Sequence, residues 1–197
     1  MSVSIPKYLC VLDFEATCWE RSDEHEIIEF PSVIIDLKTN KIVDKIQLFV
    51  RPKINPVVSK FCNELTGITQ EQVDKGLSFP DALKQHHKFL SQYQPLIICT
   101  DGDWDLYTML PIECKIHNMN APKTYSKWIN IKREFERIYG ASKSGGITQM
   151  CAALNIKMKG RLHSGIDDCE NIAQIILHMR NGALARPITP GMFPFVE

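Results

Sequence analysis

The sequence predicts an α/β fold with a five-stranded mixed sheet flanked by helices, and three observations predict it. Two short apolar runs, Tyr8 to Leu12 and Leu96 to Thr100, have the length and composition of buried strands. Two longer stretches, Ile27 to Leu37 and Ile42 to Val50, flank the polar turn Lys38-Thr39-Asn40-Lys41 and read as a β-hairpin. Segments with helical apolar spacing then separate and follow the remaining strands.

In chain order, Tyr8 to Leu12 is the first strand and the polar run Glu20 to Glu26 a loop. The hairpin continues antiparallel from that strand. Lys60 to Leu65 and Phe79 to Tyr93 read as helices; Ser78 is placed to cap the second, and Pro80 falls in its first turn. His86 and His87 share that helix with Lys84 and Lys88 and read as a solvated face. Leu96 to Thr100 follows a helix, so it should pair parallel to the first strand. Trp128 to Ile131 supplies a fifth strand, with helices over Arg133 to Tyr139 and Ile147 to Leu154. Ile166 to Asn181 is a long amphipathic helix turning Ile166, Ile172, Ile175, Ile176 and Met179 to the core, with Gly182 as a left-handed C-cap. Residues 183–197, with Pro187, Pro190 and Pro194, form an extended tail, leaving 1–182 as the domain. The apolar Met192-Phe193-Pro194-Phe195 is expected to pack back on the body.

A chain of 197 residues with 44% apolar content fits one globular domain. No apolar stretch approaches the roughly 18 residues of a membrane span, and no secretory signal pattern occurs. An intracellular protein, cytoplasmic or nuclear, is the expectation. The seven cysteines are scattered and form no Cys-x-x-Cys pair, which argues against a structural zinc site and fits reduced thiols. The net charge of zero conceals a division: residues 115–161 carry 10 Lys+Arg against 2 Asp+Glu. That basic segment, ending in Lys157-Met158-Lys159-Gly160-Arg161, leads directly into His163 and suggests a polyanionic partner. A solvated surface is the alternative reading.

The residues that carry chemistry are acidic. Asp13 and Glu15 end the first strand, where period-two alternation turns both side chains to one face. Two carboxylates so close repel each other unless a cation lies between them. Asp105 lies just beyond the fourth strand, at the same sheet edge as Asp13. Asp168 opens the last helix, and His163 precedes it by five residues in the loop ahead. Asp101 and Asp103 flank Asp105 without a reactive role, and Asp167 faces the other side of the helix start.

In this order the segments resemble the DEDDh branch of the 3′-to-5′ exonucleases, the superfamily of DnaQ-like proofreading subunits, RNase T, oligoribonuclease and TREX. Val11-Leu12-Asp13-Phe14-Glu15-Ala16-Thr17-Cys18 is similar to the first motif of the ERI-type exoribonucleases, the branch of the histone-mRNA 3′ exonuclease and the prion-protein-interacting exonuclease. Glu26-Ile27-Ile28-Glu29-Phe30-Pro31, Phe61-Cys62-Asn63-Glu64-Leu65-Thr66-Gly67, Gly102-Asp103-Trp104-Asp105-Leu106, Trp128-Ile129-Asn130 and His163-Ser164-Gly165-Ile166-Asp167-Asp168 extend the resemblance over nearly the whole chain.

The resemblance implies a ribonuclease-H-like fold and two Mg²⁺ or Mn²⁺ ions about 4 Å apart. It makes Asp13 the bridging ligand, gives Glu15 and Asp168 the nucleophile-side ion and Asp105 the second ion, and makes His163 the general base, imidazole being the side chain suited to proton transfer near neutral pH. It points Ala16 and Thr17 to the terminal sugar and 3′-hydroxyl. It points Phe61, Leu65, Trp104 and Leu106 to the terminal base; core packing competes for Leu65 and Trp104, and substrate contact is favoured for Phe61 and Leu106. Lys159 and Arg161 would meet phosphates.

The activity so implied is hydrolysis of single-stranded RNA or 3′ overhangs to nucleoside 5′-monophosphates. A sugar-tolerant nuclease that also degrades DNA is the alternative, and a catalytically silent module binding RNA ends or a protein is the reading from another class. The chain begins almost at the first strand, whereas the histone-mRNA branch carries an additional N-terminal nucleic-acid-binding domain. Substrate choice by a partner or by availability is therefore expected.

Overall fold

The computed structural model describes residues 6–19, 25–140 and 145–179. Gly182, the 183–197 tail and most of the loop assigned to Glu20–Glu26 lie outside the described residues. The elements are β1 (Tyr8–Leu12), β2 (Glu15–Ala16), β3 (Ile27–Asp36), β4 (Lys41–Phe49), α1 (Lys60–Thr66), α2 (Gln70–Asp74), α3 (Phe79–Leu90) and β5 (Leu96–Thr100). A π-helix, Trp104–Met109, runs into α4 (Leu110–Ile116). A 3₁₀ turn at Lys123–Ser126 precedes β6 (Trp128–Asn130), α5 (Ile131–Tyr139), α6 (Ile147–Ala153) and α7 (Gly165–Met179).

The sheet is mixed. β3 pairs antiparallel with β4 along one edge and with β1 along the other, from Tyr8↔Asp36 to Leu12↔Ser32. β2 continues that line at Glu15↔Glu29 after a break at Asp13 and Phe14, so the sixth strand is a prolongation of the first, shifted in register at Ala16. β5 pairs parallel with β1, and β6 parallel with β5. The sequence expectation of five strands therefore holds with one two-residue addition.

Period-two alternation in β1 divides the core between two faces. Cys10 and Leu12 join Phe30, Ile34, Phe79, Leu83 and Trp128 under α3 and the π-helix. Leu9 and Val11 join Val33, Ile35, Ile172, Ile175, Ile176 and Met179 under α5, α6 and α7. Side chains satisfy the helix starts: Ser59, Ser78 and Asn130 each accept a first-turn backbone N–H, and Thr69 forms a capping box with Gln72.

His86 corrects the sequence reading. It is not on a solvated face but fully buried, bridging Ser32 Oγ and the Tyr125 hydroxyl at 2.7 Å each. Burial lowers its pKa to about 3, so it is a neutral imidazole bridging two hydroxyls in the core.

Candidate active site

The chain breaks from β1 at Asp13 and rejoins β3 at Glu15, and this kink aims both acids into a cleft of about 730 Å³ at the sheet edge. Phe14, between them, points the other way into the core. Its backbone N–H donates to Asp105 Oδ1 at 2.8 Å, which ties the β1 break to the start of the π-helix. Asp168, in the first turn of α7, completes the group: carboxylate oxygens of Asp13, Glu15 and Asp168 lie within 4.8 Å of one another.

These acids crowd one another in a desolvated pocket. Burial first, then Asp105, Glu15 and Asp168, raises the Asp13 pKa well above the usual carboxylate range. Burial, then the neighbouring Glu29, brings Glu15 to about 9. Asp105 and Asp168 rise to about 7 by burial, against the opposing bonds from Phe14 N–H and His163 N–H. Asp168 Oδ2 accepts that His163 N–H at 2.8 Å, while Asp168 Oδ1 is buried without a hydrogen-bond partner among the described residues. An orphaned carboxylate oxygen beside two further carboxylates is a good seat for a hard divalent cation.

Glu29 holds the helix that carries Asp168. Its side chain is buried; Oε1 accepts Gln47 Nε2 at 2.7 Å and Oε2 accepts Gly165 N–H at 3.1 Å. At Gly165, helix and sheet touch so closely that an added Cβ would meet Asp13 O and Pro31 Cγ at 2.8 Å. His163 is exposed, lines the cleft, and sits at φ 62°, in the left-handed region. Asp167 turns to the other side, where it accepts Arg161 N–H at 3.0 Å.

Around this core the structure sorts the remaining sequence candidates. Trp104 lines the cleft and is 42% exposed, with its ring edge-on to His25 at 6.1 Å, so core packing is ruled out for it. Leu106 requires the opposite correction. The π-helix turns Asp105, Leu106 and Met109 inward, and Leu106 is completely buried in the core, out of reach of a base. Phe61 is exposed and Leu65 half-buried on α1, outside the cleft lining. Ala16 is buried, and its carbonyl faces Cys62 Sγ at 3.6 Å. Thr17 is buried too, its Oγ1 accepting Glu26 N–H and its N–H donating to Glu26 O.

Neither Lys159 nor Arg161 reaches the cleft. Lys159 lines a separate shallow depression with Lys45 and Glu170, because its backbone is fixed by the buried Asn171 side chain of α7. Arg161 reaches over Gly67 and donates to the carbonyls of Glu64 and Leu65, strapping the His163 loop to α1. The cleft lining also takes in Lys132, which the sequence placed in the basic segment without a role of its own, and Leu162 and Gly145 to Gln149, to which it gave none in the site. The signals were the basic run for Lys132 and the position beside His163 for Leu162.

The family model described as Exonuclease, RNase_T, matches residues 10–176. The chain belongs to the RNase_T exonuclease family. Within it, the chain is 41% identical over 181 residues to 3'-5' exoribonuclease 1 of Mus musculus, covering 87% of this chain and 52% of that protein. It is 37% identical over 177 residues to ERI1 exoribonuclease 3 of Bos taurus, covering 86% and 52%. It thus spans about half the length of the curated relatives it matches. Among solved structures, the nuclease domain of 3'hExo, a DEDDh family member bound to rAMP, superposes with a TM-score of 0.89 at 38% identity, covering 95% of this chain and 98% of that one. A 3'-exonuclease recognising the 3' end of the histone mRNA stem-loop superposes with a TM-score of 0.86 at 39% identity, covering 91% and 84%. The RNase_T family assignment agrees with the ribonuclease-H-like, DEDDh architecture expected from the sequence.

Proposed function

We propose that the chain is a metal-dependent 3′-to-5′ exoribonuclease that hydrolyses single-stranded RNA or 3′ overhangs to nucleoside 5′-monophosphates. The observation that carries this reading is the carboxylate group of Asp13, Glu15 and Asp168, oxygens within 4.8 Å, with His163 on the rim of the same cleft. Its relatives are named as exoribonucleases, and one solved relative binds an adenosine ribonucleotide.

The donor set fits Mg²⁺ or Mn²⁺: it is all-oxygen, and Asp168 Oδ1 is buried without a hydrogen-bond partner among the described residues. Asp13, Glu15 and Asp168 would hold the ions, with Asp105 supporting the second. Bound there, divalent ions would acidify the attacking water and stabilise charge on the leaving 3′-oxygen.

The chain's own residues supply the rest. His163, exposed on its loop, takes the proton of the attacking water. Its loop is fixed at one end by the N–H bond to Asp168 and at the other by Arg161 on α1. The exposed face of Trp104 stacks the terminal base with little base preference. Ala16, in β2, and Thr17, tied to the Glu26 backbone, follow Glu15 directly and, though outside the described cleft lining, are the residues assigned to the terminal sugar. No helix among the described residues is long and apolar enough to cross a membrane.

The test is a gel time course with 5′-labelled single-stranded RNA, matched DNA and 3′-overhang duplexes, each in Mg²⁺, Mn²⁺ or EDTA, beside Asp13→Ala. Metal-dependent laddering from the RNA 3′ end, absent in the variant, is expected. Intact RNA in every lane from folded protein would leave a silent binding module as the better reading, and equal RNA and DNA rates would make the enzyme sugar-tolerant.

A further inference from the structure

We propose that Lys132 is a phosphate-binding residue of the cleft, exchanging its contact with Asp101 for a backbone phosphate of the incoming strand. This rests on the nuclease reading above and adds a residue to it.

Topology puts Lys132 there. β5 and β6 run parallel, with Ile98↔Trp128 and Thr100↔Asn130 in register, so both strands end at the same sheet edge as the acids. The chain leaving β5 supplies Asp101. The chain leaving β6 turns at once into α5, capped by Asn130 through Arg133 N–H. Lys132 is the second residue of that helix, at its positive end. Its Nζ crosses to Asp101 Oδ2 at 2.9 Å and offsets part of the rise in the Asp105 pKa.

Charge gives the position its meaning. The described cleft lining includes the carboxylates of Asp13, Glu15, Asp101, Asp103, Asp105 and Asp168, and Lys132 is the one Lys or Arg among the described lining residues. A nucleic-acid strand is a polyanion. Ions held by the acidic group would neutralise the reacting phosphate, but the strand beside it still faces carboxylates. A fixed ammonium with three donors meets that need as a point charge for phosphate.

The two neighbouring ion pairs are built differently. Asp103 uses both oxygens: Oδ2 on Arg133 at 2.6 Å and Oδ1 on Trp128 Nε1 at 3.0 Å, a locked strut. Among the described residues, the Asp101 carboxylate has one contact, Oδ2 to Lys132, and its Oδ1 is buried without a hydrogen-bond partner. The Lys132 side chain is 37% exposed, and among the described residues a Cβ added at Gly102 would find only Nζ, at 4.0 Å. A phosphate would thus compete with one carboxylate oxygen for the half-exposed ammonium, while the Lys132 backbone N–H stays on Asp101 O; the exchange leaves the more buried Asp101 carboxylate without its cation, a cost the phosphate contact has to offset.

The experiment compares wild type with Lys132→Met, Lys132→Arg and Asp101→Asn on single-stranded RNA. It reads kcat, KM, thermal midpoint and the slope of log(kcat/KM) against log[KCl]. Lys132→Met should lower kcat/KM about tenfold, mainly through KM, as loss of a charged hydrogen bond does. Its salt slope should be shallower by about 0.7, one single-strand phosphate contact. Lys132→Arg should restore most of both. Asp101→Asn, which frees the ammonium, should lower KM. An unchanged salt slope in Lys132→Met overturns the proposal. So does Asp101→Asn reproducing the Lys132→Met loss with the same fall in thermal midpoint, since that marks a structural ion pair. Failure of the nuclease reading is separate: wild type itself would then leave RNA intact.

Discussion

The N–H of His163 donates to the carboxylate of Asp168 at 2.8 Å, so the exposed imidazole and the buried acid five residues on are set by one another. Asp168 Oδ2 therefore fixes the loop that carries His163, while Oδ1, buried without a hydrogen-bond partner among the described residues, is left for the proposed cation. Replacing it with Asn should cost more than one ligand's worth of activity. Asp168→Asn is expected to lower kcat on labelled RNA by at least about a hundredfold and to weaken calorimetric Mn²⁺ binding.

His163→Ala should separate chemistry from metal binding. The side chain lies outside the carboxylate group, so Mn²⁺ affinity by calorimetry should match wild type. The turnover number should fall on the order of 10²–10⁴-fold, the contribution of a positioned base. Loss of Mn²⁺ affinity together with turnover would make His163 a ligand instead.

The acidic group should make metal-free protein less stable as pH rises. A carboxylate whose pKa is higher folded than unfolded binds its proton more tightly in the native state. Its stabilisation is complete below the unfolded value and is lost as pH climbs through the folded one. With Glu15 at about 9 and Asp105 and Asp168 at about 7, the loss runs from near the ordinary carboxylate value, roughly pH 4, up to pH 9. Thermal midpoints in EDTA should fall across that range, and saturating Mg²⁺ or Mn²⁺ should recover most of the difference at the alkaline end. Flat midpoints in EDTA would contradict it.

Trp104 and Leu106, two residues apart, should respond to truncation in opposite ways. Leu106→Ala opens a cavity in the core and should cost about 2–5 kcal/mol of stability with KM for RNA unchanged. Trp104→Ala removes an exposed stacking face and should cost about 1–3 kcal/mol of RNA binding while the thermal midpoint stays close to wild type.

Much of this architecture was legible in the sequence because it rests on short-range patterning. The apolar runs of β1, β3 and β5, the apolar stripe of α7 and the polar turn at Lys38 to Lys41 marked the strands, the hairpin and the last helix, and with them the positions of Asp13, Glu15 and Asp168 along the fold. What stayed hidden depended on partners far along the chain or on irregular winding. His86 looks solvated beside its lysines, but the groups that satisfy it, Ser32 and Tyr125, are 54 and 39 positions away. Leu106 was pointed to the base by the resemblance alone; the π-helix that buries it is invisible to a 3.6-residue pattern. β2 is too short to register as a strand, and α2 and α4 are short as well. The basic segment was a real feature, but its members scatter: Lys132 enters the cleft, Arg133 braces Asp103, Arg161 straps α1 and Lys159 faces away.

The distance across the acidic group is set by a missing methyl. At Gly165 the last helix rests on the sheet through bare backbone, against Asp13 O, Pro31 Cγ and Glu29 Oε2. Any side chain there acts as a wedge at the hinge end of a 15-residue lever that carries Asp168 in its first turn. Alanine at this one position would thus widen the gap between carboxylates contributed by opposite ends of the chain while leaving every acid in place, turning cation affinity into a gauge of how closely helix and sheet are seated.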